Sequence, residues 1–168
     1  MIYLSTGGFK ERSGYDTLKT FIKNKISFVE LSAGRYSKDQ VKKIEKIKNI
    51  KKLMHNYYPP PKEPFVINIA SSNEKILDKS MKHVKKSIDI SNSIGAKDYS
   101  FHPGFVTDIS PKEIGIITKT TNFNDRNVCI QRVLKNLFTL SRYAKKKGVR
   151  LLVENNVLTV PNFEKFNQ

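Results

Sequence analysis

Short runs rich in β-branched and aromatic residues alternate along this chain with longer stretches of helical period. The short runs predict strands at Ile2 to Ser5, Ser27 to Ser32, Lys51 to His55, Asp98 to His102 and Arg150 to Glu154, each ending on polar residues. The stretches between them predict helices near residues 14 to 24, 38 to 49, 73 to 94 and 124 to 147. In the third helix Leu77, Met81, Val84 and Ile88 recur at 4-3-4 spacing, one apolar stripe for packing on a sheet. Val133, Leu134, Leu137, Phe138 and Leu140 are expected to do the same in the fourth. Ser37 with Gln40, and Ser71 with Glu74, have capping-box spacing, while Gly95 and Gly148 stand where left-handed helix ends are wanted. Strands alternating with helices in this way build a parallel sheet from βαβ units, so the fold class is α/β.

Two connections are longer than the others, Asn56 to Ser72 and Pro103 to about Phe123, and both follow a strand. In parallel α/β folds that side of the sheet holds function. The Pro59-Pro60-Pro61 tract reads as a stiff wall of the first of these loops. Cys129, the single cysteine, has no intramolecular partner and is expected to be a small buried helix residue; His83 is expected on a helix surface.

Composition adds bounds. At 168 residues with 38% hydrophobic positions, the chain suits one domain with a sizeable core. No apolar run approaches the ~18 residues of a spanning helix, and Met1 leads directly into Ile2-Tyr3-Leu4, so the expectation is a cytoplasmic protein with no membrane partner. The net charge of +16 raises nucleic acid as a partner. The lysines are dispersed over Lys42-Lys43, Lys51-Lys52, Lys85-Lys86 and Lys145 to Lys147, without an arginine-aromatic stripe, so charge alone assigns none.

The candidate chemistry lies at strand ends. Three predicted strands finish on His55, His102 and Glu154, and a fourth runs through Glu30. In a parallel sheet these positions share one rim, and imidazole with carboxylate suits Zn, Mn or a related divalent ion. Taken singly, each could be a strand terminator facing solvent; falling at equivalent places, they form a spatial cluster.

Tyr3-Leu4-Ser5-Thr6-Gly7-Gly8-Phe9, Phe28-Val29-Glu30-Leu31-Ser32, Met54-His55-Asn56-Tyr57, Ser100-Phe101-His102-Pro103-Gly104 and Leu152-Val153-Glu154-Asn155 resemble, in order, the first five strands of xylose isomerase-like TIM barrel proteins. That superfamily includes sugar-phosphate isomerases, sugar epimerases and the endonuclease IV group. The resemblance implies a partial (β/α)8 barrel of about five parallel βα units, a single domain over 1–168 that is C-terminally truncated, since complete barrels run to ~250 residues. It implies that Glu154 is a metal ligand or proton acceptor and that His102 and His55 are ligands or pocket acid/base groups, with His102 and Glu154 the catalytic pair. Glu30, Asn56, Tyr57 and Asn155 are the implied substrate-binding positions. The activity it implies first is a sugar or sugar-phosphate isomerase or epimerase that moves a proton next to a metal-polarised carbonyl. Two others stand beside it: a metal-dependent phosphodiesterase on abasic DNA, and an inactive partial barrel serving as a binding module or subunit. A homo-oligomer or a complementing chain is the implied partner for the missing strands.

Overall fold

The computed structural model describes residues 2–9, 12–156 and 158–166. Strand and helix alternate in the order β1 (Leu4–Ser5), α1 (Gly14–Lys23), β2 (Phe28–Leu31), α2 (Gln40–Glu45), β3 (Lys51–His55), α3 (Glu74–Ile94), β4 (Asp98–Phe101), α4 (Arg126–Lys146), β5 (Arg150–Val153) and α5 (Val160–Phe166). All five strands lie parallel in one sheet, ordered β1-β2-β3-β4-β5. Each strand is therefore beside its neighbour in sequence, the sequential arrangement that a (β/α)8 barrel repeats around its circumference.

The period-2 alternation of the strands divides the sheet into two faces. Val29, Leu31, Met54, Tyr99 and Phe101 are buried under the helices, where they meet Leu18 and Phe21 of α1, Ile44 of α2, Val84 and Ile88 of α3, and Leu140 and Ala144 of α4. Burying each such side chain stabilises the fold by roughly 1.5–3 kcal/mol. Phe28, Glu30, Leu53 and His55 turn to the opposite face and stay partly exposed. Lys52, on the helix side, is the exception to an apolar face: its ammonium donates to the carbonyls of Ile47 and Ile50 at 2.8 and 3.2 Å, and burial lowers its pKa.

Helix ends follow local chemistry, in part differently from the expected caps. The backbone leaves α3 and α4 through Gly95 and Gly148 at φ 75° and 66°, left-handed values that a Cβ would disfavour. The cap of α3 is Asn73, whose carboxamide oxygen accepts from the amides of Lys75 and Ile76; Ser71 instead accepts from Asn73 N and donates to Asp108. Likewise α2 begins after Asp39, not on a Ser37 box, because the Gln40 side chain is used elsewhere, accepting from Gly14 N at 3.2 Å. The stripe of α3 packs as its spacing predicts. Of the five expected stripe positions of α4, Val133, Leu137 and Leu140 face the core, while Leu134 and Phe138 are 62% and 66% exposed, because each is one residue, about 100° of helix, beyond the packed stripe. Helix α5 has no counterpart in the periodicity; it is short, and Asn162 ties it to the long β4–α4 loop by accepting from Thr118 N and donating to Ile116 O.

No helix among the described residues is long and apolar enough to cross a membrane.

Candidate metal centre

The two-face rule places the site. Because Lys52 and Met54 point toward the helices, His55 at the end of β3 points the other way. Because Tyr99 and Phe101 are buried, Ser100 and then His102 follow suit on β4. Register brings His55 opposite Ser100 and Phe101 opposite Val153, so Glu154 is level with His102, one residue past their strands. The Glu154 amide still donates to the Phe101 carbonyl at 3.1 Å, which extends the ladder to the ligand itself.

His55, His102 and Glu154 consequently bring one ligand atom each to within 4.8 Å of one another. The two imidazoles meet edge to face, with centroids 5.4 Å apart at 87°. His55 Nδ1 lies 2.8 Å from Ser100 Oγ and 3.4 Å from Glu154 Oε1. His102 Nδ1 lies 3.3 Å from the Glu154 carbonyl oxygen. A carbonyl oxygen can only accept, so the His102 contact is a hydrogen bond in the tautomer that carries the proton on Nδ1, whereas the Ser100 hydroxyl can donate or accept and serves either tautomer of His55. Burial lowers the His55 pKa, against the opposing pull of the Glu154 and Glu30 carboxylates and with help from His102, and this favours its neutral, ligating form. The Glu154 carboxylate is half open, at 47% exposure. Two imidazoles and one carboxylate, with backbone and hydroxyl partners fixing the rings, form a donor set suited to zinc or manganese.

Other sequence-predicted positions have different surroundings. Glu30 is outside this three-residue group, on the same sheet face, and reaches His55 through its charge. Asn56 is buried beside His55; its amide donates to Ser100 O, its carbonyl accepts from Ser32 Oγ, and its Oδ1 has no partner among the described residues. Tyr57 uses its hydroxyl to accept from Ile67 N at 3.0 Å and packs against Phe65 and His83. His83 is thus not a helix-surface residue: it is 9% exposed, because α3 turns it inward onto the folded-over 56–72 loop. Asn155 is exposed and lines a cavity of about 670 Å³ together with Phe105, Ile130, Leu134 and Phe163. Cys129 is buried on that same cavity, as expected of it, and burial raises its thiol pKa.

The fold also gathers charges that are far apart in sequence. Arg12, Lys19 and Lys23 meet Arg35 and Tyr36, with the Asp16 carboxylate among them, around a cleft of about 660 Å³ where the loop after β2 crosses the start of α1. A hydrogen bond from Arg35 N to Arg12 O at 2.9 Å holds the two segments together. No run in the sequence signals this cluster, since its members come from a helix face and two separate loops.

The family model described as "Xylose isomerase-like TIM barrel" matches residues 11–163. Among curated proteins, "Probable endonuclease 4" of Aquifex aeolicus (strain VF5) is 33% identical over 72 residues, 42% of this chain and 23% of that protein. Among solved structures, L-ribulose 3-epimerase superposes with a TM-score of 0.64 at 14% identity, covering 99% of this chain and 56% of the other. Endonuclease IV from Thermus thermophilus superposes at 0.51 with 15% identity, covering 92% and 50%. The chain spans about half the length of these structures, whose likeness at such identities is one of fold. Matched by its family model over nearly its whole length, with sequential parallel strands and a His-His-Glu group at their carboxyl ends, the chain belongs to the xylose isomerase-like TIM barrel family.

Proposed function

We propose that this chain contributes the metal-binding rim of a sugar or sugar-phosphate isomerase or epimerase, working in the cytoplasm. The observation that supports the reading is the convergence of His55, His102 and Glu154 from three different strand ends. These three residues would hold zinc or manganese, which supplies a Lewis acid to polarise the substrate carbonyl oxygen. Glu154, half open to solvent, is ligand or acceptor for the proton on the neighbouring carbon, and His102 is the second group able to move it. Asn56, buried next to His55 with its Oδ1 unpartnered among the described residues, would accept from a sugar hydroxyl once the rim opens to substrate. Glu30 keeps negative charge beside the rim, and Asn155 contributes polarity at its outer edge. The proposal includes a complementing chain or a second copy against the open sheet face, because the relatives described above are about twice as long.

A second reading, a metal-dependent phosphodiesterase acting on DNA, is favoured by one observation, the cleft of Arg12, Lys19, Lys23 and Arg35. Phosphate contacts there would make binding strongly salt-dependent.

Elemental analysis of the dialysed chain tests the shared premise. Stoichiometric zinc or manganese that is lost in Glu154→Ala is expected; equal metal content in both, or none in either, would overturn it. Parallel assays for ketose epimerisation and for nicking of an abasic-site duplex then separate the two activities. Metal binding with turnover in neither assay would assign the chain as an inactive rim module.

A further inference from the structure

The polar network behind the metal centre converges on one side chain that neither periodicity nor motif singles out. Asn68 lies in the loop between β3 and α3 and is 1% exposed. Its carboxamide uses all of its hydrogen-bonding capacity. Oδ1 accepts from the amides of Ala70 and Phe105 at 3.1 and 3.3 Å, and Nδ2 donates to Thr107 O and Asp108 Oδ1 at 3.2 and 2.8 Å. The second Asp108 oxygen accepts from Ser71 Oγ at 2.7 Å, and Ile69 N donates to the carbonyl of Pro103 at 2.8 Å.

Three of the four contacts of that carboxamide therefore go to the segment that leaves β4 after His102. The approach is close: Gly104 has φ 132°, and a Cβ there would come 2.7 Å from Asn68 Cα. The Gly104 carbonyl accepts in turn from Asn156 Nδ2 at 2.6 Å, two residues beyond Glu154. Contacts thus run from Asn68 through Phe105 and Gly104 to Asn156, tying the exit of one ligand strand to the exit of the next. Beyond the direct contacts between the two strand ends, no other hydrogen bond among the described residues ties the long loop after β4 to the shorter connection between β5 and α5 so close to the ring and carboxylate.

We infer that Asn68 is a positioning residue for the metal centre, holding the His102 and Glu154 strand exits at a fixed separation; as a statement about metal affinity this rests on the reading under Proposed function. Partners bonded directly to a metal ligand change metal affinity by about 10–100-fold when removed; Asn68 acts one step further out, through the Gly104–Phe105 segment, so the lower end of that range is the expectation.

The test uses the full chain and two readouts. One is zinc affinity, by competition with a chromophoric chelator. The other is the His102 tautomer in metal-free protein, by long-range ¹H–¹⁵N correlation, because the contact with the Glu154 carbonyl requires a proton on Nδ1. Asn68→Asp keeps the shape but replaces the donor by an acceptor facing Thr107 O and Asp108. It is expected to weaken zinc about tenfold and to erode the Nδ1–H preference. The pair Asn68→Asp with Asp108→Asn reverses the polarity of that bond and is expected to recover most of both. Val84→Ala, a core hole remote from the rim, controls for lost stability alone. A folded Asn68→Asp chain with zinc affinity within twofold of the parent and an unchanged tautomer overturns the inference. Should Asn68→Asp fail to fold, Asn156→Ala decides: weakened zinc and a disturbed tautomer support it, and no change in either overturns it. If the parent chain and Glu154→Ala bind zinc equally, the metal reading falls, and the tautomer alone decides whether Asn68 positions His102.

Discussion

The buried His83 makes a quantitative prediction about stability and pH. Its ring lies against Phe65 and Tyr57, with centroids 5.5 and 6.1 Å away, and its Nε2 has no hydrogen-bond partner among the described residues. Burial, with a smaller contribution from the nearby Lys86 charge, drives its pKa from an ordinary 6.5 down to about 4. The native state therefore disfavours protonation, and the unfolded chain binds the proton first as pH falls. Stability contributed by neutral His83 is full above about pH 6.5, declines as pH drops below it, and levels off below about 4. At about 1.4 kcal/mol per pH unit the full loss is about 3 kcal/mol, most of it reached by pH 4.5. Carboxylates also titrate near the lower end of this range, so the measurement is a difference. Urea unfolding of the parent and of His83→Leu, run from pH 7.5 to 4.5, isolates the histidine because the other groups cancel. The variant is expected to lose much less stability than the parent over that range, with the curves diverging below pH 6.5. Parallel curves, within about 0.5 kcal/mol throughout, would refute the burial argument and mean that the ring reaches water or a partner when charged.

Further predictions concern the loops and caps. Gly104→Ala forces a Cβ onto Asn68 at a φ of 132°, and it should cost at least about 2 kcal/mol in a thermal melt; a neutral result would mean that the loop relaxes away from Asn68. Asn73→Ala removes the acceptor for two orphan amides of α3 and is expected to cost about 1 kcal/mol by chemical denaturation, whereas the capping-box alternative would leave it silent. In α4, Leu140→Ala should cost about 2–5 kcal/mol and Leu134→Ala less than about 0.5 kcal/mol; similar costs for the two would show that Leu134 is covered in solution.

The family match and the fold leave a consistent picture of the rim. The candidate ligands stand at the ends of β3, β4 and β5, strands that pair in register; loops that are irregular in secondary structure are nevertheless bonded to each other at Asn68, Asp108 and Asn156. Strands thus set the directions of the three candidate ligands, and a buried polar network ties together the loops that follow them.

Much of the architecture follows from signals local to the chain. The five strands, the first four helices and the glycine helix ends were legible because period, chain breakers and β-branched runs act within a few residues. The His55, His102 and Glu154 rim was legible for a related reason: in a parallel sheet, equivalent strand ends share an edge whatever the loops do. What the tertiary structure decided depends on distant partners. Leu134 and Phe138 match an apolar stripe, but which edge of the stripe is covered depends on where α4 packs. His83 has the spacing of a surface residue until the 56–72 loop folds its Tyr57 and Phe65 over it. Ser71 reads as a helix cap, yet Asp108, 37 residues away, takes its hydroxyl. The basic cleft and the Asn68 hub likewise join residues from separate segments, and such contacts exist only once the chain has closed on itself.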